Sequence, residues 1–463
     1  MLWLRHTIMR ENHAAGVSAS SMRNATTAVI LAAGLGTRMC SALPKAMHLL
    51  GGRPMISHLI ETASAVFDCV VVVIGPEMDA LAQACAPHAV VVQAERLGTG
   101  HAARTAEALF GDGDVAILYA DNPLISGETM RALLAARAQP GTSLALLAMR
   151  PMDPGRYGRV VVENGRVTRI VEWKDATDAE RAIDLCNAGV ICAEARYLRD
   201  WLAELRADNT QGEYYLTDVV ALAAERGVVR FVEAPEAELA GINSRRELAR
   251  AEAALQARLR EAALERGVTL VAPETVFFST DTQLDADVTI EPNVVFGPGV
   301  RVRSGAVIRA FSHLEGCDVG GSAIIGPYAR LRPGTICEEG SHVGNFVELK
   351  AATLGRGAKA NHLTYLGDAT IGARTNIGAG TITCNYDGYF KHRTIIGENA
   401  FIGSDSILIA PVKVGDGALV AAGSVITEGV PDDALAMGRA RQTNKDGRAA
   451  VLRDILKARK EQG

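Results

Sequence analysis

The chain is 463 residues long and carries 48 Lys and Arg against 53 Asp and Glu, a formal net charge of −5. That length predicts two or three domains with a sizeable core, and the slight acidity argues against a nucleic-acid binder, which usually shows a basic face or stripe. No apolar run reaches the roughly 18 residues of a membrane span, and eight widely spaced cysteines without a CxxC pair read as reduced core residues of a cytoplasmic protein.

Residues 1–23 contain Arg5, Arg10 and Glu11 and lack the apolar stretch of a secretory signal, so a disordered tail is expected there. Ala28 to Ala32 is a short apolar run that reads as a buried parallel strand. It feeds Gly34-Leu35-Gly36-Thr37-Arg38-Met39. Glycine has no Cβ to keep backbone N–H groups from phosphate oxygens, and Arg38 and Lys45 add positive charge, so this segment reads as a cradle for a nucleoside triphosphate or, on the glycines alone, as a plain strand-to-helix turn. It is neither a Rossmann fingerprint, since Met39 stands at the third glycine, nor a P-loop, since GK[ST] is absent.

Val70 to Ile74, Ala89 to Val92 and Val115 to Tyr119 are further short apolar runs alternating with helix-like segments. The pattern predicts an α/β domain with a mostly parallel sheet and helices on both faces. Asp121 follows the third run at the sheet edge where such folds bind ligands, and reads either as a Mg²⁺ ligand or as a helix N-cap. Ser244 to Arg266 lacks proline and glycine and opens on a Ser244/Glu247 capping box, which predicts a long helix, either a connector or packed within the first domain.

From Val268 onward the period changes to six. Ile396, Ile402, Leu408, Val414, Val420 and Ile426 keep it strictly, as do Val288, Val294, Val300 and Ala306, and Ile325, Leu331, Cys337, Val343 and Leu349. A six-residue apolar repeat is the mark of a parallel β-helix. The nineteen residues from Ile377 to Ile396 read as one more than three repeats, and they contain Cys384-Asn385-Tyr386-Asp387-Gly388-Tyr389, a polar, aromatic loop of the kind on which solenoids carry function. A stack of coils encloses no deep pocket alone, so sites between neighbouring solenoids, and hence an oligomer, are expected. His362, clustered in sequence with Arg332, Lys350, Tyr365, Asn376 and Asn385, offers a base of near-neutral pKa. Beyond Gly438 the chain is basic and polar and is expected to fray or form a short helix.

Leu31-Ala32-Ala33-Gly34-Leu35-Gly36-Thr37-Arg38-Met39 with Pro44-Lys45, followed by a hexapeptide solenoid, resembles the sugar-1-phosphate nucleotidylyltransferases. Within them it is similar to the bifunctional N-acetylglucosamine-1-phosphate uridyltransferase/glucosamine-1-phosphate acetyltransferase family. The resemblance spans about residues 27–442 and includes Gln93-Ala94-Glu95 with Leu97-Gly98-Thr99-Gly100-His101-Ala102, Gln211-Gly212-Glu213-Tyr214-Tyr215-Leu216-Thr217-Asp218, and His362-Leu363-Thr364-Tyr365-Leu366-Gly367-Asp368.

That resemblance implies a Rossmann-like nucleotidyltransferase domain (residues 24–243), a linker helix (244–267), a left-handed parallel β-helix acetyltransferase domain (268–438) and a C-terminal tail (439–463). Leu31, Ala32, Ala33, Gly34 and Lys45 would bind the nucleotide sugar, with Gln93, Gly98 and Thr99 on the uracil, Tyr119 and Asp121 by the phosphates, and Gly158, Glu172 and Asn187 on the sugar. Asp121 and Asn243 would hold Mg²⁺, and Arg38 and Lys45 would neutralise charge in transfer. His362 would be the acetyl-transfer base, oriented by Glu348. Arg332, Lys350, Tyr365 and Asn376 would bind the amino-sugar phosphate. Asn385 is placed with them and with Ala379, Tyr386, Ser404, Ala422 and Arg439 along acetyl-CoA.

The implied substrates are glucosamine 1-phosphate, acetyl-CoA and UTP, the product a precursor of bacterial wall and outer-envelope polymers, and the assembly a homotrimer. The alternative is a single-activity nucleotidylyltransferase whose β-helix is structural or regulatory. Ala120, Trp173 and Arg439-Ala440-Arg441-Gln442 depart from the family pattern.

Overall fold

The computed structural model describes residues 25–462, so the tail expected over residues 1–23 lies outside the described residues. The chain divides into two compact units, Met1–Ala257 and Arg258–Gly463.

In the first unit the predicted apolar runs are strands: β1 (Thr27–Leu31), β2 (Cys69–Ile74), β3 (Ala89–Val92) and β4 (Asp114–Tyr119). They are joined by β5 (Thr142–Met149), β6 (Arg159–Glu163), β7 (Arg166–Val171), β8 (Cys186–Glu194) and β9 (Val228–Glu233). Among the described residues these form one sheet in the order β9-β5-β8-β4-β1-β2-β3, with β6 pairing to β8 and β7. The segment β4-β1-β2-β3 is parallel throughout, and β9 runs parallel to β5. Strand β8 enters antiparallel to both β4 and β5.

Both faces of the sheet are covered, which is why its central strands are apolar without alternation. Ala28, Ile30, Val70 and Val72 pack into one buried cluster, while Val29, Leu31, Val71 and Val73 pack into another. The antiparallel entry of β8 has a functional consequence. Its first residues come out at the same sheet edge as the last residues of β1, β2, β3 and β4.

The second unit is a three-sided parallel β-helix. Strands His342–Asn345, Glu348–Lys350 and Thr353–Leu354 go in turn to a first, a second and a third face, and the next coil repeats the cycle. Every aliphatic position of the six-residue repeat points inward: Val288, Val294, Val300, Ile325, Leu331, Val343, Leu349, Ile402, Leu408, Val414 and Val420 all lie in one continuous buried stack.

One coil is larger than the sequence period implies. Thr375 Oγ1 accepts the Ala400 N–H across 25 residues, where the contacts Asn293 to Thr275 and Ala329 to Ser312 between ordinary successive coils span 18 and 17. The enlarged coil therefore exceeds its neighbours by far more than the single residue expected. Ile377, Thr383 and Ile396 sit on the first, second and third faces, so the nineteen residues cover only two steps of the repeat. Thr383, buried at 1% exposure, takes an inward position that an aliphatic count passes over.

The long helix is Arg245–Glu265. Its capping box is modified: Glu247 N–H donates to Ser244 Oγ at 3.3 Å, but the Glu247 carboxylate accepts from the N–H of Asn243 at 2.8 Å. Early in the helix the Glu252 carboxylate accepts the Gly51 N–H, and late in it Arg260 Nε donates to the Val276 carbonyl. The basic C-terminal segment carries a helix, Arg448–Glu461, with no buried side chain. No helix among the described residues is long and apolar enough to cross a membrane.

Candidate functional site

The carboxyl edge of the first sheet opens onto a cavity of about 540 Å³. Every residue expected to hold the nucleotide sugar or to act in transfer lines it, and most of them sit at a strand end on that edge. Ala32, Ala33, Gly34 and Arg38 follow β1, Gln93 follows β3, and Tyr119 and Asp121 close β4. Gly158 precedes β6, Glu172 follows β7, and Asn187 opens β8. Leu31, Lys45, Gly98, Thr99 and Asn243 complete the wall.

One end of the cavity is charged. Lys45 Nζ donates to Asp121 Oδ2 at 2.6 Å and to Asn243 Oδ1 at 3.0 Å, with both Lys45 and Asp121 largely covered. A cationic group thus already lies between a carboxylate and an amide oxygen. Such a hard-oxygen pair suits Mg²⁺, which usually takes one or two carboxylates and fills its other positions with water and substrate phosphates. Among the described residues no group of three or more His, Cys, Asp or Glu forms an all-protein metal cage, so the pair fits an ion shared with substrate. The N–H of Asn243 is itself fixed by Glu247.

Around Gln93 the wall is polar. Gln93 is buried and its Nε2 donates to the Gly98 carbonyl at 3.1 Å and bonds the His101 ring at 3.0 Å. Thr99 Oγ1 accepts the Leu216 N–H at 3.0 Å, tying this end to the motif around Tyr215. Tyr119 is walled in. A Cβ on Gly189, where φ is +79°, would collide with its ring, and burial drives the phenol pKa far up. Glu172 is half-buried, its pKa raised by desolvation and partly offset by the Thr217 hydroxyl that donates to it at 3.1 Å.

Sequence reasoning passed over Arg96, Arg156, Tyr157, Gly189 and Tyr215, all of which line the cavity. Tyr215 stood inside a recognised motif without a role, and burial pushes its pKa to about 12. The departures have local explanations: Ala120 is buried with its N–H on the Leu31 carbonyl, and Trp173 lies between the Arg156 and Arg181 guanidiniums.

In the β-helix the expected residues fall at two corners. At the corner between the first and second faces, His362 Nδ1 pairs with Asn345 Oδ1 at 2.7 Å, one coil away. An amide oxygen only accepts, so Nδ1 carries a proton and, in the neutral ring, Nε2 holds the lone pair. The expected orienter Glu348 is engaged elsewhere: it accepts from Arg332 Nη1 at 2.8 Å, and Asn345 takes its place at the ring. Asn345 gave no signal in sequence because the pairing requires the register Asn345↔His362. Ala379, Ser404 and Ala422 follow on successive coils of the same corner, linked by Asp405 N–H to Ala379 O and Gly423 N–H to Ser404 O, and the Arg439 side chain lies against Gly423.

At the corner between the second and third faces, the Tyr365 hydroxyl and the Asn385 amide converge over Gly367, where any Cβ would strike both. Asn385 Nδ2 donates to Asp368. Lys350 faces Lys391, which lowers its pKa first among several causes, with Arg332 nearby adding to the effect. Lys391 was not anticipated. Tyr386 projects from the enlarged coil, and Asn376 lies on the first face in register with Lys359 and Phe401. Within one chain, then, the structure brings His362 together with Ala379, Ser404 and Ala422, and Lys350 with Tyr365 and Asn385, but sets the two groups at opposite ends of the second-face strands.

The family of MobA-like NTP transferase domains matches residues 28–213, and that of the hexapeptide repeat of succinyl-transferase matches residues 393–428. The chain is 71% identical to the bifunctional protein GlmU of Gluconobacter oxydans over 95% of its own length and 98% of the relative's. The chain belongs to the GlmU family. The GlmU proteins of Gluconacetobacter diazotrophicus and Acidiphilium cryptum are 67% and 61% identical, covering 94% and 92% of the chain and 96% and 98% of theirs. Like other GlmU chains it is a bifunctional enzyme, with a nucleotidyltransferase fold followed by a β-helix of hexapeptide repeats.

Proposed function

We propose that the β-helix acetylates glucosamine 1-phosphate with acetyl-CoA, and that the first unit then transfers a uridylyl group from UTP to the resulting N-acetylglucosamine 1-phosphate, releasing pyrophosphate. The observation that carries the uridylyl-transfer reading is one cavity lined both by the bonded trio Lys45, Asp121 and Asn243 and by Gln93, Gly98 and Thr99. The first trio suits phosphates and the second a uracil edge.

In uridylyl transfer the sugar phosphate oxygen attacks the α-phosphorus in line and pyrophosphate leaves, so the protein's task is to position and to stabilise charge. Arg38, Lys45 and the N–H groups of the glycine loop surround the triphosphate. Glu172 and Asn187 hold the sugar hydroxyls and acetamido group. Asp121 and Asn243 would hold Mg²⁺, which when bound neutralises charge on the phosphates.

In acetyl transfer the amine of glucosamine 1-phosphate attacks the thioester carbonyl, the C–S bond breaks, and coenzyme A leaves as its thiol. The Asn345 contact selects the neutral tautomer with its proton on Nδ1, and in that form His362 Nε2 accepts the amine proton. Lys350, Arg332 and Lys391 complement the sugar phosphate, with Tyr365 and Asn385 beside it and Asn376 contributing from the first face. Ala379, Tyr386, Ser404, Ala422 and Arg439 line the coenzyme path.

The separation of the His362 and Lys350 groups within one chain supports a homotrimer in which neighbouring solenoids complete each site. So does the exposed corner beside His362, where Phe311 stacks on Tyr328 at 4.9 Å and Tyr328 on Phe346 at 5.2 Å. The reduced cysteines fit a cytoplasmic enzyme.

The test is a pair of assays on wild type and His362→Ala: thiol release from acetyl-CoA with glucosamine 1-phosphate, and pyrophosphate release from UTP with N-acetylglucosamine 1-phosphate and Mg²⁺. Both activities are expected in wild type, and only the first is lost in the variant. A wild type that releases pyrophosphate but no thiol would reduce the β-helix to a structural or regulatory module.

A further inference from the structure

Arg96 lines the nucleotide cavity. Its Nε donates to the Ala33 carbonyl at 2.9 Å, where β1 has just given way to the glycine loop. The guanidinium rests over Gly75, the first residue past β2. A Cβ at Gly75 would stand 2.5 Å from Nη2 of Arg96 and 3.1 Å from the Ala33 oxygen, so a bare glycine makes the seat. At the far end of the loop a second arginine does the same work: Arg245 Nε donates to the Met39 carbonyl at 3.3 Å, and its Nη1 donates to Nδ1 of the buried His48 at 3.2 Å. Between these two carbonyls lie Gly34 to Arg38, closed on themselves by Met39 N–H to Gly36 O.

We propose that Arg96 and Arg245 are positioning residues for uridylyl transfer, a two-point clamp that fixes both ends of the glycine loop before the triphosphate arrives. Each arginine also ties the loop to another part of the site. Arg96 stands between Gln93 and Gly98 at the base end, and Arg245 stands two residues beyond Asn243 at the charged end. A loop held in its binding shape spares the ordering cost that binding would otherwise incur, so the clamp acts on affinity for the nucleotide. The inference rests on the uridylyl-transfer reading of this cavity.

The test uses the full-length protein and the variants Arg96→Ala, Gly75→Ala, Arg245→Ala and the Arg96→Ala/Gly75→Ala pair, with three readouts: steady-state pyrophosphate release, tryptic cleavage after Arg38, and acetyl transfer as a control for folding. Each variant is expected to raise KM for UTP about tenfold with kcat changed less than about threefold. Cleavage after Arg38 should quicken and acetyl transfer stay at the wild-type rate. The double variant should be no worse than either single one, because both disrupt one contact. An unchanged KM, additive losses at positions 75 and 96, or a fall in kcat at constant KM would each overturn the clamp. If wild type itself releases no pyrophosphate, the uridylyl-transfer reading fails instead, and an unaltered cleavage rate after Arg38 would then overturn the clamp separately.

Discussion

Glu172 pairs two demands that pull against each other. A carboxylate suits sugar hydroxyls, yet partial burial disfavours its charge and raises its pKa, with the Thr217 hydroxyl offsetting only part of that cost. A group whose folded pKa lies above its unfolded one withholds stability as pH rises through the folded value, and costs nothing below the unfolded value. Glu172→Gln is therefore expected to raise the melting temperature at pH 7, with the gain vanishing as pH falls below the ordinary carboxylate range. The same change should raise KM for the sugar phosphate about tenfold, since a charged hydrogen-bond acceptor is lost. Thermal melts at pH 7 and pH 4 beside steady-state kinetics check both halves, and a variant less stable at pH 7 would contradict the assignment.

Residue types proposed to act through their own charge or basicity could be picked out in the sequence. Lys45, Asp121 and His362 could be singled out by charge or pKa and by the motifs around them. Asn345, Lys391 and Arg96 could not. An asparagine one coil below a histidine becomes its partner only through the register Asn345↔His362, and Arg96 gains meaning only where Gly75 makes room for it.

Among the elements, the projecting loop of the enlarged coil is held by one carboxylate. Asp387 accepts from the N–H groups of Tyr389 and Phe390 at 2.8 and 2.7 Å and from His392 Nε2 at 2.7 Å, contacts that keep its pKa down to about 2. Tyr386 and Asn385 depend on that scaffold for their placement. Asp387→Ala is expected to raise KM for acetyl-CoA about tenfold while pyrophosphate release stays at the wild-type rate. A titration of the donor in both assays decides it, and an unchanged KM would separate the loop from the coenzyme.

The six-residue period was plain because each inward aliphatic recurs at one pitch. The size of the enlarged coil was not, since buried Thr383 holds an inward place usually taken by an aliphatic. Likewise the parallel strands β1 to β4 announced themselves as unbroken apolar runs. The antiparallel entry of β8 could not be read from local composition, although it is what carries Asn187 to the ligand edge.

At the scale of the whole molecule, the two units rest on separate buried cores: the stack of the β-helix, and the two clusters on either side of the sheet. Leu349→Ala leaves a void in the coil beneath Tyr365 and Leu366. A fully buried leucine cut to alanine typically costs about 2–5 kcal/mol. In a quasi-one-dimensional stack that loss falls on neighbouring coils. Heating the variant should abolish acetyl transfer at a temperature where pyrophosphate release persists, and simultaneous loss of both activities would contradict separate cores.

The regular pitch of the stack also makes it a ruler. Successive coils stand about 4.8 Å apart, the spacing of paired strands, and each ordinary one costs the chain 17 or 18 residues. Adding or deleting one whole coil between Leu270 and Asn345 would move the His362 corner up or down by a single rung while leaving the Asn345↔His362 pairing in register. An insertion of another length keeps His362 on its face only where the extra residues leave the triangle at a corner, as those of the enlarged coil do while Asn376↔Phe401 and Ile377↔Ile402 stay in register.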